Sequence, residues 1–277
     1  MSNPFDLLQA RYGTGQDAPA IAAGALNPVL ETLFAHRSVR AFLPEALPPA
    51  TLDLLVAAAQ SAPSSSNLQV WSAVAVQDDA RKGRLAELVG GQKQVREAPL
   101  FLAWLVDLSR LKRLAAQRGR QLDGADYLDT FLMGVIDAAL AAQNAVNAAE
   151  SLGLGTVYIG ALRNQPEAVA AELGIAAGDG VYPVFGLCVG RPDPARPSSI
   201  KPRLPQSSVL YREQYAPAPV EQEVASYDAA MHAFYASQGL PPTSWSEHSL
   251  ARLRSAADLK GRDRLQEALA GLGFALR

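Results

Sequence analysis

Two arginines stand three apart around Ser38 in "HRSVRAFLPE", residues 36–45. Far along the chain Lys201 and Arg203 alternate with prolines in "KPRLP". Between them lies a run of three serines, Ser64, Ser65 and Ser66. Guanidinium groups grip a phosphate through paired N–H donors, an ammonium adds a point charge, and serine hydroxyls donate to the same oxygens. Pro202 and Pro205 restrict the backbone around the second pair of cations and would hold those charges in fixed positions. Brought together, the three segments would form an anion site; apart, each is ordinary surface, and periodicity does not decide between the two. A second kind of candidate is bare backbone. Glycines in "GQKQ" (Gly91–Gln94) and "YIGALRN" (Tyr158–Asn164) would admit a flat ligand close to the main chain, or mark turns and nothing more.

Other chemistries find no support. None of His36, His232 and His248 stands in a paired metal-ligand spacing. The stretch "GLGTVYIG" has the wrong glycine spacing for a dinucleotide fingerprint and follows a helix rather than a strand. No G-x-S-x-G elbow or phosphate-binding loop occurs. The single cysteine, Cys188, excludes an internal disulfide and a CxxC pair, and its apolar surroundings mark it as a core residue. A net charge of −2 over 277 residues gives no basic field for nucleic acid. The N-terminus lacks a basic start and apolar run, which with the one cysteine fits a cytoplasmic protein.

The elements that must position these groups follow from pattern. Asn27 caps a helix with Pro28 in its first turn and Leu30, Leu33 and Phe34 on one face. A second helix runs from Thr51, its expected cap, with Leu52, Leu55, Val56 and Ala59 facing inward. "PSSSN" is a loop, and "VWSAVAV", "PLFLAWLVD", "TVYIGAL" and "VYPVFGLCVG" read as buried strands. A helix over "DARKGRLAELVGG" ends at Gly90–Gly91. Residues 109–124 read as a charged connection. The longest helix spans about residues 126–152, roughly 40 Å. Leu128, Leu132, Val135, Ala139, Ala142 and Val146 make its continuous face, and Asp137, Gln143, Asn144 and Asn147 mark it as a buried helix rather than a membrane span. "NQPEAVAAELG" is a short helix, the proline-rich residues 191–206 are irregular, and the tail beyond Glu221 is helical in three pieces. The pattern is α+β, with residues 1–26 as an N-terminal extension and 27–277 as a single domain carrying a helical excursion from about 221.

Taken in order, "HRSVRAF", "SSSNLQ", "GGQKQV", "AQNAVNAAESLGLGTVYIGALRN", "FGLCVG" and "KPRLP" resemble the nitroreductase superfamily, most closely its type A oxygen-insensitive nitroreductase and flavin reductase branch, over His36 to Arg277. The resemblance implies a three-layer fold with a central mixed, mainly antiparallel sheet, a long central helix and an intertwined homodimer. It implies non-covalent FMN, with His36, Arg37, Ser38 and Arg40 at the phosphate and ribityl chain and Lys201 and Arg203 completing the clamp. Ser64, Ser65, Ser66 and Gln69, with Gln92 and Gln94, would approach it from the other subunit. Tyr158, Ile159, Gly160 and Ala161 would line the ring, with the Gly160 amide near flavin N5. No catalytic side chain is implied.

On this resemblance the expected activity is two-electron transfer from NADPH or NADH to a small-molecule acceptor, a nitroaromatic, quinone or free flavin, by a ping-pong hydride mechanism. The alternatives are other FMN chemistry on the same fold, dehalogenation or flavin fragmentation, and a non-catalytic flavin-binding protein. Two positions depart from the pattern. Ala161 stands where relatives carry a second glycine, tolerable unless its backbone is left-handed. Gln238 stands where NADPH-preferring relatives place an arginine, and no lysine or arginine occurs between Arg212 and Arg252. Arg252 and Arg254 are the nearest substitutes.

Overall fold

The computed structural model describes residues 4–13 and 26–277. The helices are α1 (Pro4–Tyr12), α2 (Pro28–Phe34), α3 (Thr51–Gln60), α4 (Asp79–Leu88), α5 (Lys93–Glu97), α6 (Ser109–Gln117), α7 (Leu128–Ser151), α8 (Pro166–Glu172), α9 (Val220–Ser237), α10 (Trp245–Arg252) and α11 (Leu265–Gly271). The strands are β1 (Trp71–Val76), β2 (Leu100–Asp107), β3 (Gly155–Ile159) and β4 (Val181–Gly190). The chain forms two compact units, residues 1–37 with 198–259, and residues 38–197 with 260–277.

The larger unit is built on one sheet, ordered β1-β2-β4-β3, in which every named pair is antiparallel. The parallel element of the expected mixed sheet is a single bridge, Ser38 to Thr156. Alternation along β2 divides the core in two. Phe101, Ala103 and Leu105 join the cluster beneath α4, α5 and α8, whereas Leu100, Leu102 and Trp104 join that beneath α3 and α7. The central strands β2 and β4 are covered on both faces and read as continuous apolar runs despite antiparallel pairing, whereas β1, expected to be buried, is an edge strand and only half-buried. Pro183 offers no N–H to the ladder, and the β2–β4 register shifts beside it, between Trp104 and Leu105.

The inner face of α7 is set by small residues: Gly134, Ala138, Ala141, Ala142, Ala145, Val146 and Ala149 are buried. A Cβ at Gly134 would lie 2.5 Å from Val106 Cγ1, so glycine lets this helix settle onto the sheet. This differs from the expected face. Leu128 and Leu132 are each 47% exposed, and Ile136 and Leu140 continue the same outward stripe. Alanine packs close because it is small, and the large side chains are left outside. By length and composition α7 could cross a membrane, but its alanine face is committed to the sheet.

The remaining expectations meet the structure unevenly. Asn27 caps α2, its Oδ1 accepting from the Leu30 N–H at 3.0 Å. Thr51 is the first residue of α3 rather than its cap; Ala50 occupies that place. The stretch expected as a charged connection holds α6, whose leucines recur at helical spacing among basic residues. Cys188 is fully buried, and burial pushes its thiol pKa well up. The tail is helical in three pieces, α9, α10 and α11.

In the smaller unit α1 packs with α2, and Gly13 just beyond it faces Ala230 of α9. Leu8, Pro202, Tyr227, Ala230 and Met231 are among its buried residues. Residues 1–3 and 14–25 of the expected extension lie outside the described residues.

Candidate functional site

In the smaller unit the chain brings together segments far apart in sequence. The Arg11 guanidinium donates from Nη1 to the Lys201 carbonyl at 3.1 Å and from Nη2 to the carbonyls of Phe34 (3.1 Å) and His36 (2.6 Å). The Arg203 N–H donates back to the Arg11 carbonyl at 2.8 Å. His36 and Arg37 are thereby tied to Lys201 and Arg203: two of the three segments whose convergence periodicity left open meet here, while Ser64, Ser65 and Ser66 belong to the larger unit. Buried Tyr227 donates its hydroxyl to the Pro202 carbonyl at 3.1 Å. Burial raises the Tyr227 pKa, so the hydroxyl stays a donor. Lys201 Nζ lies 5.2 Å from the Tyr235 ring centroid and 5.8 Å from that of Phe234, a cation over two aromatic faces.

Carboxylate pairing alone does not mark these cations, since Lys93, Arg118 and Arg120 also lack a carboxylate partner among the described residues; what marks them is their convergence. Arg84, Arg196 and Arg254 are each matched by a carboxylate. Among the described residues Arg37, Arg40 and Lys201 have no carboxylate partner. Arg37 donates only to the Ala35 carbonyl, at 3.2 Å, and Arg203 donates to the carbonyls of Lys201 and Pro202, both at 3.1 Å.

In the larger unit, the loop after α3 is held in an uncommon backbone conformation. Ser66, Asn67 and Gln69 have φ of 49°, 54° and 51°. Such left-handed residues need surrounding structure to fix them. The anchor is Asp137 of α7, 1% exposed: it accepts from Ser64 Oγ at 2.6 Å and from the Ser65 N–H at 3.0 Å, while Ser64 Oγ accepts from the Gln69 N–H at 2.8 Å. Sequence reasoning saw Asp137 only as an interruption of an apolar helix. A lone carboxylate in such a helix was the available signal, since a buried charge needs partners.

Gln92 and Gln94, flanking the start of α5, are engaged with one another: Gln94 Nε2 donates to Gln92 Oε1 at 2.6 Å, and Gln92 Nε2 to the Val89 carbonyl at 3.0 Å. At the end of β3, Tyr158 is partly exposed and packs edge-on against Phe185, whereas Ile159 is buried. A Cβ at Gly160 would meet nothing nearer than Arg163 Nη2 at 3.4 Å, and its φ is not left-handed. The fold therefore does not demand glycine there, and the bare backbone leaves room for a ligand. Ala161 is not left-handed either, and its methyl is buried in the cluster with Val157 and Ile159, so the alanine is tolerated. Arg40 is exposed and Ser38 half-buried, beside the bridge to β3.

Residues 33–191 match the family described as Nitroreductase family, and residues 201–277 match its C-terminal domain. The chain belongs to the nitroreductase family. It is 40% identical over 225 residues to the oxygen-insensitive NADPH nitroreductase of Salmonella typhimurium, covering 80% of this chain and 90% of that protein. It is 37% identical over 226 residues to an NAD(P)H-linked FMN reductase of Bacillus subtilis, covering 80% and 89%. The solved structure of NfrA2 from B. megaterium superposes with a TM-score of 0.84 at 35% identity, covering 91% of this chain and all of that one. The nitroreductase fold expected from sequence is thus the fold observed.

Within the smaller unit the residue types suit a phosphate, with Arg37 and Lys201 lacking carboxylate partners and Arg203 tied beside them; within the larger unit the open backbone at Gly160 suits a flat ring. Arg252 and Arg254 are both engaged by Asp258: Arg252 through the Asp258 carbonyl, and Arg254 through its carboxylate at 3.2 and 3.3 Å. Among the described residues no group of three or more His, Cys, Asp or Glu is placed to hold a metal.

Proposed function

We propose that this nitroreductase is an FMN-dependent NAD(P)H oxidoreductase that passes two electrons to a nitroaromatic, a quinone or a free flavin. The observation that carries the reading is the convergence, within the smaller unit, of the His36–Arg37 and Lys201–Arg203 segments, both matched to the family. FMN, when bound, supplies two-electron hydride chemistry. The residues of the chain bind and orient it. Arg37, Arg40, Lys201 and Arg203, with His36 and Ser38, take the phosphate and ribityl end. Tyr158, Ile159, Gly160 and Ala161 wall the ring, and the Gly160 amide is the donor available to its edge. Holding donor and acceptor in turn against one flat surface replaces a bimolecular encounter by an oriented one.

The working form in this reading is a homodimer, whose second copy supplies Ser64, Ser65, Ser66, Gln69, Gln92 and Gln94. It is supported by the outward stripe of Leu128, Leu132, Ile136 and Leu140 on α7, four large apolar side chains at helical spacing. The protein acts in the cytoplasm on small molecules. With glutamine at 238 and both nearby arginines held by Asp258, nothing favours the 2′-phosphate of NADPH, so NADH serves as reductant about as well.

Anaerobic mixing of the FMN-loaded protein with NADH, then with NADPH, tests the reading. Bleaching of the flavin band by both, and its return on adding nitrofurazone or menadione, is expected. A protein that retains no FMN, or whose flavin neither nicotinamide reduces, overturns it. Sedimentation of the parent and of a Leu132→Glu, Ile136→Glu double variant tests the dimer; a parent that sediments as a monomer removes it.

A further inference from the structure

The helix α1 precedes the segment matched to the family, which begins at residue 33. Its one arginine nevertheless lies at the centre of the phosphate-binding residues of the smaller unit. Arg11 reaches three carbonyls, those of Phe34, His36 and Lys201, which lie 23, 25 and 190 residues away. A guanidinium carries five donors in a rigid plane, which suits it to several fixed acceptors at once. The main chain of Arg11 is used as well, through the Arg203 N–H.

Neighbouring residues set this arrangement in place. Gln206 Nε2 donates to the Tyr12 hydroxyl at 3.1 Å. Gly13 leaves the helix with φ of 73°, and a Cβ there would lie 3.1 Å from Ala230 Cβ and 3.2 Å from Pro202 Cγ. The turn out of α1 is therefore pressed against the segment that carries Lys201 and Arg203. The orientation of the 36–37 peptide follows too. In a trans peptide the carbonyl and the next N–H point in opposite directions, so turning the His36 carbonyl to Arg11 turns the Arg37 N–H away from it.

We propose that Arg11 is a positioning residue for the phosphate end of the cofactor. It fixes the backbones bearing Arg37 on one side and Lys201 and Arg203 on the other, so that their charges are presented together before the anion arrives. The inference rests on the proposed function above, in which those cations hold the FMN phosphate. Preorganised cations bind more tightly than cations that must be gathered, because the ordering has been completed beforehand.

The test compares FMN with riboflavin, which lacks the phosphate. Dissociation constants of both are measured by fluorescence quenching on full-length protein freed of flavin, for the parent, Arg11→Gln, Arg11→Lys and Arg203→Ala. Arg11→Gln is expected to weaken FMN about tenfold or more, the loss of hydrogen bonds made by a charged donor, and riboflavin less than about twofold. Arg11→Lys, which keeps the charge without the fork, is expected to follow Arg11→Gln, and it decides by the same criteria should the glutamine variant fail to fold. Equal losses of FMN and riboflavin, or FMN affinity within twofold of the parent while Arg203→Ala loses it, overturn the role of Arg11 and leave the phosphate site standing. FMN affinity unchanged in Arg203→Ala as well overturns the site itself, and the inference with it.

Discussion

The Ser64–Gln69 loop and the Lys201–Arg203 segment are both irregular backbone bearing polar side chains, and they are held in opposite ways. The loop is strained, with three left-handed non-glycine residues; its start hangs on one carboxylate buried in a sheet-and-helix core, and its end is held by Arg110, which donates to the Gln69 carbonyl at 2.6 Å. The segment contains no left-handed residue, is stiffened by its prolines, and is tied by several separate donors, Arg11, Tyr227 and its own Arg203. A strained loop with one buried anchor at its start should lose most of its order when that anchor goes. An unstrained segment with several anchors should loosen in steps. The difference follows from where each lies: a dense core can bury and fully satisfy a charge, whereas the thin core of the smaller unit leaves its backbone carbonyls as the available tie points.

The sharpest way to break this comparison is Asp137→Ala. It strands the Ser64 hydroxyl and the Ser65 N–H and frees three left-handed residues to relax. A loss of about 3–4 kcal/mol is expected in urea denaturation, with FMN binding lost alongside. A loss under about 1 kcal/mol would show that the tie from Arg110 suffices to hold the loop.

Asp107 extends the comparison to a second buried carboxylate of the larger unit. Burial pushes its pKa up, but donors from Ser109 (2.6 Å from the hydroxyl, 2.9 Å from the N–H) and Ser72 (2.5 Å), with Arg110 nearby, outweigh this and leave it lowered. A lowered folded-state pKa means stability that is present above the unfolded value and lost as pH falls through the folded one. Asp107→Asn should therefore cost about 2 kcal/mol at pH 7, and the gap between variant and parent should narrow in denaturation runs as the pH falls below the ordinary aspartate range.

In the smaller unit effects should be milder. Gln238, exposed at the end of α9, holds only the neighbouring Ser237, at 3.2 Å, so Gln238→Arg should leave stability unchanged. It should shift kcat/KM toward NADPH over NADH by about tenfold, through a charge-assisted contact with the 2′-phosphate. Tyr227→Phe removes one of several ties on Pro202 and keeps the ring packed on Trp245. A cost of about 1 kcal/mol and a severalfold weaker FMN affinity are expected; complete loss of FMN would make the segment as brittle as the loop.

The legibility of the molecule in its sequence follows the same physics. Strands covered on both faces are apolar runs and were readable, as were the cap of α2, the length of α7 and the three-piece tail. The short helices α5 and α6 were not, because basic residues spaced among few apolar ones, Val95 in α5 and the leucines of α6, look like a connection until a core is present to receive them. The face of α7 was only partly readable: apolar residues lie all round it, and periodicity does not reveal that alanines, not leucines, meet the sheet. The site residues were found through the order of their motifs. Asp137 was visible but misread, and Arg11 carried no signal in sequence.

The chain by itself determined which segments are apolar enough to be buried, which backbone positions are punctuated by glycine and proline, and which family its motifs belong to, since these depend on residue type and near-neighbour spacing. Only the tertiary structure decided which cations stand together, which carboxylate holds the loop, and which face of the central helix is left outward. Those outcomes depend on contacts between residues as many as 194 apart, and no local pattern encodes such a distance.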